Sequence, residues 1–390
     1  MIHASLLLFL ILVISLGVIM IVHQSKKQTN SQQAQTSEAK NPTTTPATEQ
    51  APVMSQKELI DHQIASMSLE EKVGQLFLAR VPEEGQIEAI QANHLGGYVL
   101  FGRDVEDETA TSLKEKIASY QAASKIPLLI AADEEGGTVS RLSRGTGLVA
   151  EPFKSPQELY QEDGLTSIRT DIQQKAAILH SYGIQSGLFP VADVATDPAA
   201  FIYDRTLGLD AQKTSAYIKT SVEELKRQQL IATLKHFPGY GNNRDSHVEM
   251  VYDNRSLEEL QANDFLPFKA GIEAGADSVL VSHNIVTSID NMMPASISKP
   301  VHDVLRNELG FQGVIMTDDM DMAGLAQFIS QEEAGLAALQ AGNDLILSSS
   351  FQEQIPYVIQ GIEEGQYSEE ALNHSVYRVL KMKMDIGIIK

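Results

Sequence analysis

Eight short apolar runs recur along this sequence, at residues 75–79, 97–101, 127–133, 187–194, 231–237, 278–283, 313–318 and 344–348. Longer segments of helical periodicity separate them, at 108–123, 167–182, 210–228, 256–274, 299–308 and 331–341. This alternation constrains the fold more than any other feature. A strand, a helix and a second strand form a crossover that returns the chain parallel to itself. Runs that are apolar at nearly every position are buried on both faces. Eight such units between residues 56 and 390 predict an α/β fold, a (β/α)8 TIM-type barrel in a single domain. An open doubly wound sheet is the alternative, weakened because no G-x-G-x-x-G follows the first run.

The chain ahead of the barrel has a different character. Residues 4–22 are nineteen in succession without a charge, enough to cross the ~30 Å hydrocarbon core of a bilayer as one helix. The segment exceeds a usual signal-peptide core and no clear A-x-A site follows it, which predicts an uncleaved signal anchor or transmembrane helix within residues 1–25. Lys26 and Lys27 follow it, and the positive-inside rule alone would keep the main domain in the cytoplasm. Residues 26–55 outweigh that signal. They are rich in Ser, Thr, Gln and Pro and predict a disordered linker. A tether of this kind suits a domain held at the extracellular face of the cell membrane or in the cell wall, and a secreted one if the anchor is cleaved.

Hydrophobic residues make up 43% of the chain and charged ones 21%, so a large core is available. A net charge of −21 argues against nucleic acid as a partner, since phosphate binding needs basic patches. The absence of cysteine excludes disulfides and thiolate metal sites.

Polar residues collect where the apolar runs end: Asp133, Asp193, Lys235-His236, Ser282-His283 and Asp318-Asp319. In a closed barrel these ends share one mouth. The densest stretch is Lys235-His236-Phe237-Pro238-Gly239-Tyr240-Gly241, followed by Asp245-Ser246-His247. An ammonium at the end of a buried strand is expensive unless a carboxylate meets it, so Lys235 implies an acidic partner. Asp245, two residues from His247, can hydrogen-bond that imidazole and raise its basicity, making a general acid and base. A metal site of His236, Asp245 and His247 competes with this reading, but neither H-x-H nor H-E-x-x-H is present. Asp318 closes a mostly apolar strand, where an Asp is often a helix N-cap. Asp319 can supply that cap and leave Asp318 facing the mouth, where a carboxylate suits attack on an anomeric carbon. Asp133, in Asp133-Glu134-Glu135-Gly136-Gly137 with Arg141 eight residues on, can grip two hydroxyls. Arg205, in a loop rich in Asp and Ala, reads by itself as solvated.

These residues resemble glycoside hydrolase family 3, in its single-domain β-N-acetylglucosaminidase (NagZ-like) branch. The resemblance spans roughly residues 56–390 and is most specific in Lys-His-Phe-Pro-Gly-x-Gly followed by Asp-Ser-His. Met67-Ser68-Leu69-Glu70-Glu71-Lys72-Val73-Gly74-Gln75-Leu76, Gly96-Gly97-Tyr98-Val99-Leu100-Phe101-Gly102-Arg103 and Thr317-Asp318-Asp319 add to it. It implies a retaining exo-β-N-acetylglucosaminidase that releases terminal β-linked GlcNAc, from peptidoglycan or muropeptide fragments, through a covalent glycosyl-enzyme. Asp318 matches the nucleophile, His247 the acid/base and Asp245 its dyad partner. Asp133, Arg141, Arg205, Lys235 and His236 match the residues that bind the sugar ahead of the scissile bond. The resemblance implies a carbohydrate substrate, no metal, no cofactor and a monomer. The sequence departs from the pattern at Tyr240, at Thr138 and in the loop 242–244, which is one residue shorter than usual. A β-glucosidase or phosphate-using glycosidase of the same family is the alternative, and a non-catalytic barrel that binds cell-wall sugars is an alternative of another class.

Overall fold

The computed structural model describes residues 54–245 and 249–390. The predicted anchor, nearly all of the predicted linker, and Ser246, His247 and Val248 lie outside the described residues. Among the described residues no helix is long and apolar enough to cross a membrane.

Two capped helices open the folded unit. Ser55 with Glu58, and Ser68 with Glu71, form reciprocal capping boxes that start helices Gln56–Ser66 and Leu69–Gly74. Seven barrel strands follow: β1 (Phe77–Arg80), β2 (Gly97–Leu100), β3 (Leu129–Ala132), β4 (Thr233–Phe237), β5 (Ser278–Val281), β6 (Val314–Thr317) and β7 (Ile346–Ser348). They pair in parallel as two sheets, β7-β1-β2-β3 and β6-β5-β4. Single bridges join the sheets into one ring. Met316 in β6 pairs with Leu345 just ahead of β7, Ala131 with Ser186, Ser186 with Ile231, and Val191 with Lys235 in β4. Closure of this ring gives the predicted barrel and rules out the open sheet.

The fourth barrel position differs from the prediction of a strand at 187–194. The chain occupies that position through its bridges at Ser186 and Val191, without a continuous ladder. Pro190 has no N–H to donate and Leu188 sits at φ 47, so the extended repeat is interrupted twice. The helices at 108–123, 167–182, 210–228 and 331–341 are found as Ala110–Ala123, Leu165–Tyr182, Ala211–Arg227 and Gln331–Ala341. The other two are irregular. A π-turn at Leu260–Asp264 divides the predicted 256–274 helix, and another at Val304–Glu308 continues Lys299–Asp303.

Helix Phe265–Ala274 seats closely on β4. A Cβ at Gly271 would lie 2.7 Å from Leu234 Cδ1, so any larger residue there would push the Leu234 side chain aside. Phe237 packs edge-on to Phe268, with centroids 5.2 Å apart, and stacks on Phe265 at 5.7 Å. Each fully buried side chain of this size contributes about 1.5–3 kcal/mol. At the opposite end of the barrel Lys383 is fully buried, donating to Gln75 Oε1 at 2.8 Å and to the Pro127 carbonyl at 3.0 Å. Burial pushes its pKa down to about 7.

Candidate active site

A register shift in β4 sets which side chains reach the mouth. Lys235 pairs with Leu280 and Phe237 with Val281, so His236 is one residue too many for the ladder. Regular alternation would turn Lys235 and His236 to opposite faces. With the extra residue both turn inward, while Leu234 and Phe237 face the helices.

Lys235 then finds two carboxylates. Its Nζ lies 2.8 Å from Asp133 Oδ1 and 2.6 Å from Glu135 Oε1. Asp133, just after β3, also accepts from Arg141 Nη2 at 3.1 Å. Glu135 accepts from Arg205 Nε at 3.0 Å and Nη2 at 2.8 Å. Burial disfavours every one of these charges, yet mutual attraction prevails. Burial would raise the Asp133 carboxyl, but Lys235 and Arg141 hold it well below the usual carboxylate range. Burial likewise opposes the charge on Glu135, and Arg205 and Lys235 bring its pKa to about 2. Lys235, almost fully buried, stays protonated because Asp133 and Glu135 outweigh its desolvation. The result is a dry, fixed lattice of donors and acceptors suited to a polyhydroxylated ligand.

His236 has a fixed tautomer. Arg205 Nη2 can only donate, so its 3.0 Å contact makes His236 Nε2 the acceptor. The proton therefore sits on Nδ1, which donates to Asp193 Oδ2 at 2.7 Å. Burial, then the adjacent Arg205, push the His236 pKa well below its ordinary value, so the ring is neutral. With both nitrogens engaged, His236 has no lone pair for the competing metal site. Asp193 also accepts from the amides of His236 at 3.1 Å and Tyr240 at 2.7 Å. Burial raises its pKa to about 6.

The segment after β4 is rooted on both sides. Asp193 holds the Tyr240 amide, and Arg255 Nη2 donates to the Gly239 carbonyl at 2.7 Å. Arg255 also clamps Asp253 and Asp264. Gly239 has φ 113, and a Cβ there would lie 2.6 Å from Asp264 Oδ1. Asn242 Oδ1 accepts from the amides of Thr196 and Asp197, both at 3.3 Å. Asp245 follows, half-buried. His247, the predicted acid/base, lies outside the described residues.

Asp318 follows β6 directly. Its amide donates to the Val281 carbonyl at 3.0 Å, and its Oδ1 accepts from the Asp319 amide at 2.9 Å. It stands at the same end of the barrel as Lys235 and His236, with β5 between their strands. The role expected of Asp319 is corrected. Its Oδ1 accepts from the Asp321 amide at 3.1 Å, whereas helix Ala323–Ala326 starts at Met322 without a side-chain cap. A four-residue helix set off by a short turn leaves the carboxylate closer to that turn than to the helix. Burial raises Asp319 to about 7.

The structure thus brings together Asp133, Arg141, Arg205, Lys235 and His236, and puts Asp318 at the same end of the barrel. It adds Glu135, Asp193 and Glu134. Glu134 Oε2 accepts from the amides of Arg141 at 3.1 Å and Leu142 at 2.8 Å, which fixes the turn carrying Arg141. Of these, Asp193 had a signal in its strand-end position. Glu134 and Glu135 had none, because an acidic turn reads as solvated.

Residues 68–382 match the glycosyl hydrolase family 3 N terminal domain. The beta-hexosaminidase of Xanthomonas campestris pv. campestris is 36% identical over 264 residues, covering 66% of this chain and 78% of that protein. Among solved structures, a glycoside hydrolase family 3 beta-N-acetylglucosaminidase from Paenibacillus sp. superposes with a TM-score of 0.77 at 27% identity, covering 83% of this chain but only 63% of that one. M. tuberculosis LpqI superposes with a TM-score of 0.76 at 29% identity, over 83% of this chain and 96% of its own. Closed barrel, strand-end chemistry and sequence agree, and the chain belongs to glycosyl hydrolase family 3.

Proposed function

We propose that this chain is a retaining exo-β-N-acetylglucosaminidase acting on terminal β-linked GlcNAc of peptidoglycan or muropeptide fragments. The observation that carries the reading is Asp318, set at a rigid strand end at the same end of the barrel as a buried lattice of Asp133, Arg141, Glu135, Arg205, Lys235 and His236. A sugar ring seated on that lattice by its hydroxyls offers C1 to Asp318. The carboxylate attacks C1 while His247, paired with Asp245, gives its proton to the leaving oxygen. A glycosyl ester on Asp318 results. Water then attacks C1, His247 takes the proton back, and the sugar leaves with its configuration retained. The names of the Xanthomonas and Paenibacillus relatives support the choice of sugar.

The test is turnover of matched aryl β-GlcNAc and β-glucoside by wild type and Asp318→Asn. Wild type should prefer the GlcNAc substrate and the variant should lose turnover by orders of magnitude. Equal rates for the two proteins would refute the assignment.

The same reading places the domain at the extracellular face of the membrane, tethered through residues 4–22 and the linker. Full-length protein should sediment with membranes, and deletion of residues 1–25 should release it. Sedimentation of both forms would refute the anchor.

A further inference from the structure

Tyr240 is fully buried, yet its ring lies outside the large barrel core. It forms a separate, smaller apolar cluster with Ala195 and Ile202, against which Ala200, Phe201 and Tyr203 pack. Two aromatic neighbours orient the ring. Phe201 meets it edge to face, with centroids 4.9 Å apart and planes at 87°. The imidazole of His236 meets it from another side, at 5.1 Å and 67°. Such pairs favour one mutual orientation over others. Satellite clusters of this kind hold down long loops, and this one holds two.

The first is the stretch 195–205, which ends in the turn Tyr203–Arg205 and delivers the guanidinium to Glu135. The Arg205 amide donates to the Ile202 carbonyl at 3.0 Å, so a displacement of Phe201 or Ile202 is passed on to Arg205. The second stretch leaves β4 after Phe237 and runs to Asp245. Its turn closes on Tyr240 itself, whose carbonyl accepts from the Asn243 amide at 3.1 Å. Asn242, inside that turn, accepts from the amides of Thr196 and Asp197 and so ties the turn back to the first stretch. The two stretches are thus packed as one unit around the Tyr240 ring. One carries an arginine of the buried lattice, and the other leads to the acid/base pair. A tyrosine that merely filled space would not need to bridge His236, the Arg205 stretch and the root of that segment at once. Tyr240 is also a position at which the sequence departs from the family pattern, so the device belongs to this chain.

We propose that Tyr240 is a positioning residue that couples the seating of the sugar to the aim of the proton donor. A ring held by Arg205 and His236 fixes the Tyr240 side chain through its two aromatic contacts. Tyr240 in turn fixes the start of the segment toward Asp245, and with it the direction from which the leaving oxygen is protonated. This rests on the glycosidase reading above. Tyr240 acts through the residues it packs against and takes no proton itself.

Wild type, Tyr240→Leu, Tyr240→Phe and Phe201→Leu are compared on a series of aryl β-GlcNAc substrates whose leaving phenols run from acidic to weakly acidic. In Tyr240→Leu, kcat/KM should fall about ten- to a hundred-fold on the poorest leaving group and less than about three-fold on the most activated one, because only the former depends on a well-aimed acid. Phe201→Leu, on the other stretch, should show the same slope at smaller size, about three- to ten-fold on the poorest leaving group. Tyr240→Phe keeps both ring contacts and should restore the wild-type slope. Turnover of the most activated substrate reports a folded site, and Phe201→Leu decides the matter should Tyr240→Leu not fold. Equal losses across the series in either leucine variant would show general disorder and overturn the proposal. So would a Phe201→Leu slope identical to that of wild type, or a Tyr240→Phe variant as impaired as Tyr240→Leu. Failure of wild type to cleave any member of the series would instead overturn the glycosidase reading itself.

Discussion

Glu135→Gln removes one charge from the buried lattice with little change of shape. The Glu135 side chain is 1% exposed and meets Arg205 at 2.8 Å and Lys235 at 2.6 Å. Its folded pKa of about 2 compares with an ordinary value of 4.5. The sign follows from linkage. A depressed carboxylate pKa contributes stability in full above the unfolded value, and that stability is lost as pH falls from about 5 toward 2. A difference of about 2.5 units corresponds to about 3 kcal/mol at pH 7. Breaking a buried pair by removing one partner typically costs about 3–5 kcal/mol, an independent figure of the same size. Urea unfolding of wild type and variant at pH 7, 5 and 3.5 measures it. The variant should be less stable by about 3 kcal/mol at pH 7, and the gap should narrow at pH 3.5. A gap of the same size at every pH, or none at pH 7, would refute the argument that the lattice holds Glu135 ionised.

Four further outcomes are expected. Lys383→Met removes a buried amine whose folded pKa lies near 7; because the unfolded state binds more protons between pH 7 and 10.5, wild type should gain stability over the variant across that range, and parallel stability curves would contradict this. Asp193→Asn loses acceptor capacity for His236 and Tyr240, so kcat/KM on aryl β-GlcNAc should drop about ten- to a hundred-fold while the fold survives by circular dichroism. Gly239→Ala forces a Cβ to 2.6 Å from Asp264 Oδ1 at positive φ, and calorimetry should show destabilisation of about 2–4 kcal/mol. His247→Ala should cost about 10²–10⁴ in rate on substrates with poor leaving groups and far less on activated aryl glycosides; equal losses on both would remove His247 from the acid role.

The legible part of this fold was its periodicity. Seven of the eight apolar runs form barrel strands, because a run buried on both faces needs no knowledge of its neighbours to be recognised. The eighth, at 187–194, was legible as a barrel position but not as an interrupted one. Pro190 was visible in it, whereas the left-handed turn at Leu188 depends on tertiary packing. Within the site, Lys235 announced that a carboxylate must meet it, and the structure supplies Asp133 and Glu135. The sequence could not say that Glu135 would turn inward. That depends on the short hairpin of Glu134–Gly136 with Val139–Ser140, and on partners 70 and 100 residues away. Asp319 misled because a helix cap and a turn closure call for the same residue type.

The surplus residue in β4 has an evolutionary corollary. The joint inward aim of Lys235 and His236 comes from chain length, so deleting one residue between Leu234 and Phe237 would leave a single inward position there and strip either the ammonium or the imidazole from the lattice. Point substitutions can retune the chemistry here, but an indel would erase it in a single step. Drift in loop length should therefore accumulate only downstream of Pro238, and a graft of foreign loops onto this barrel should keep the strand intact through Phe237.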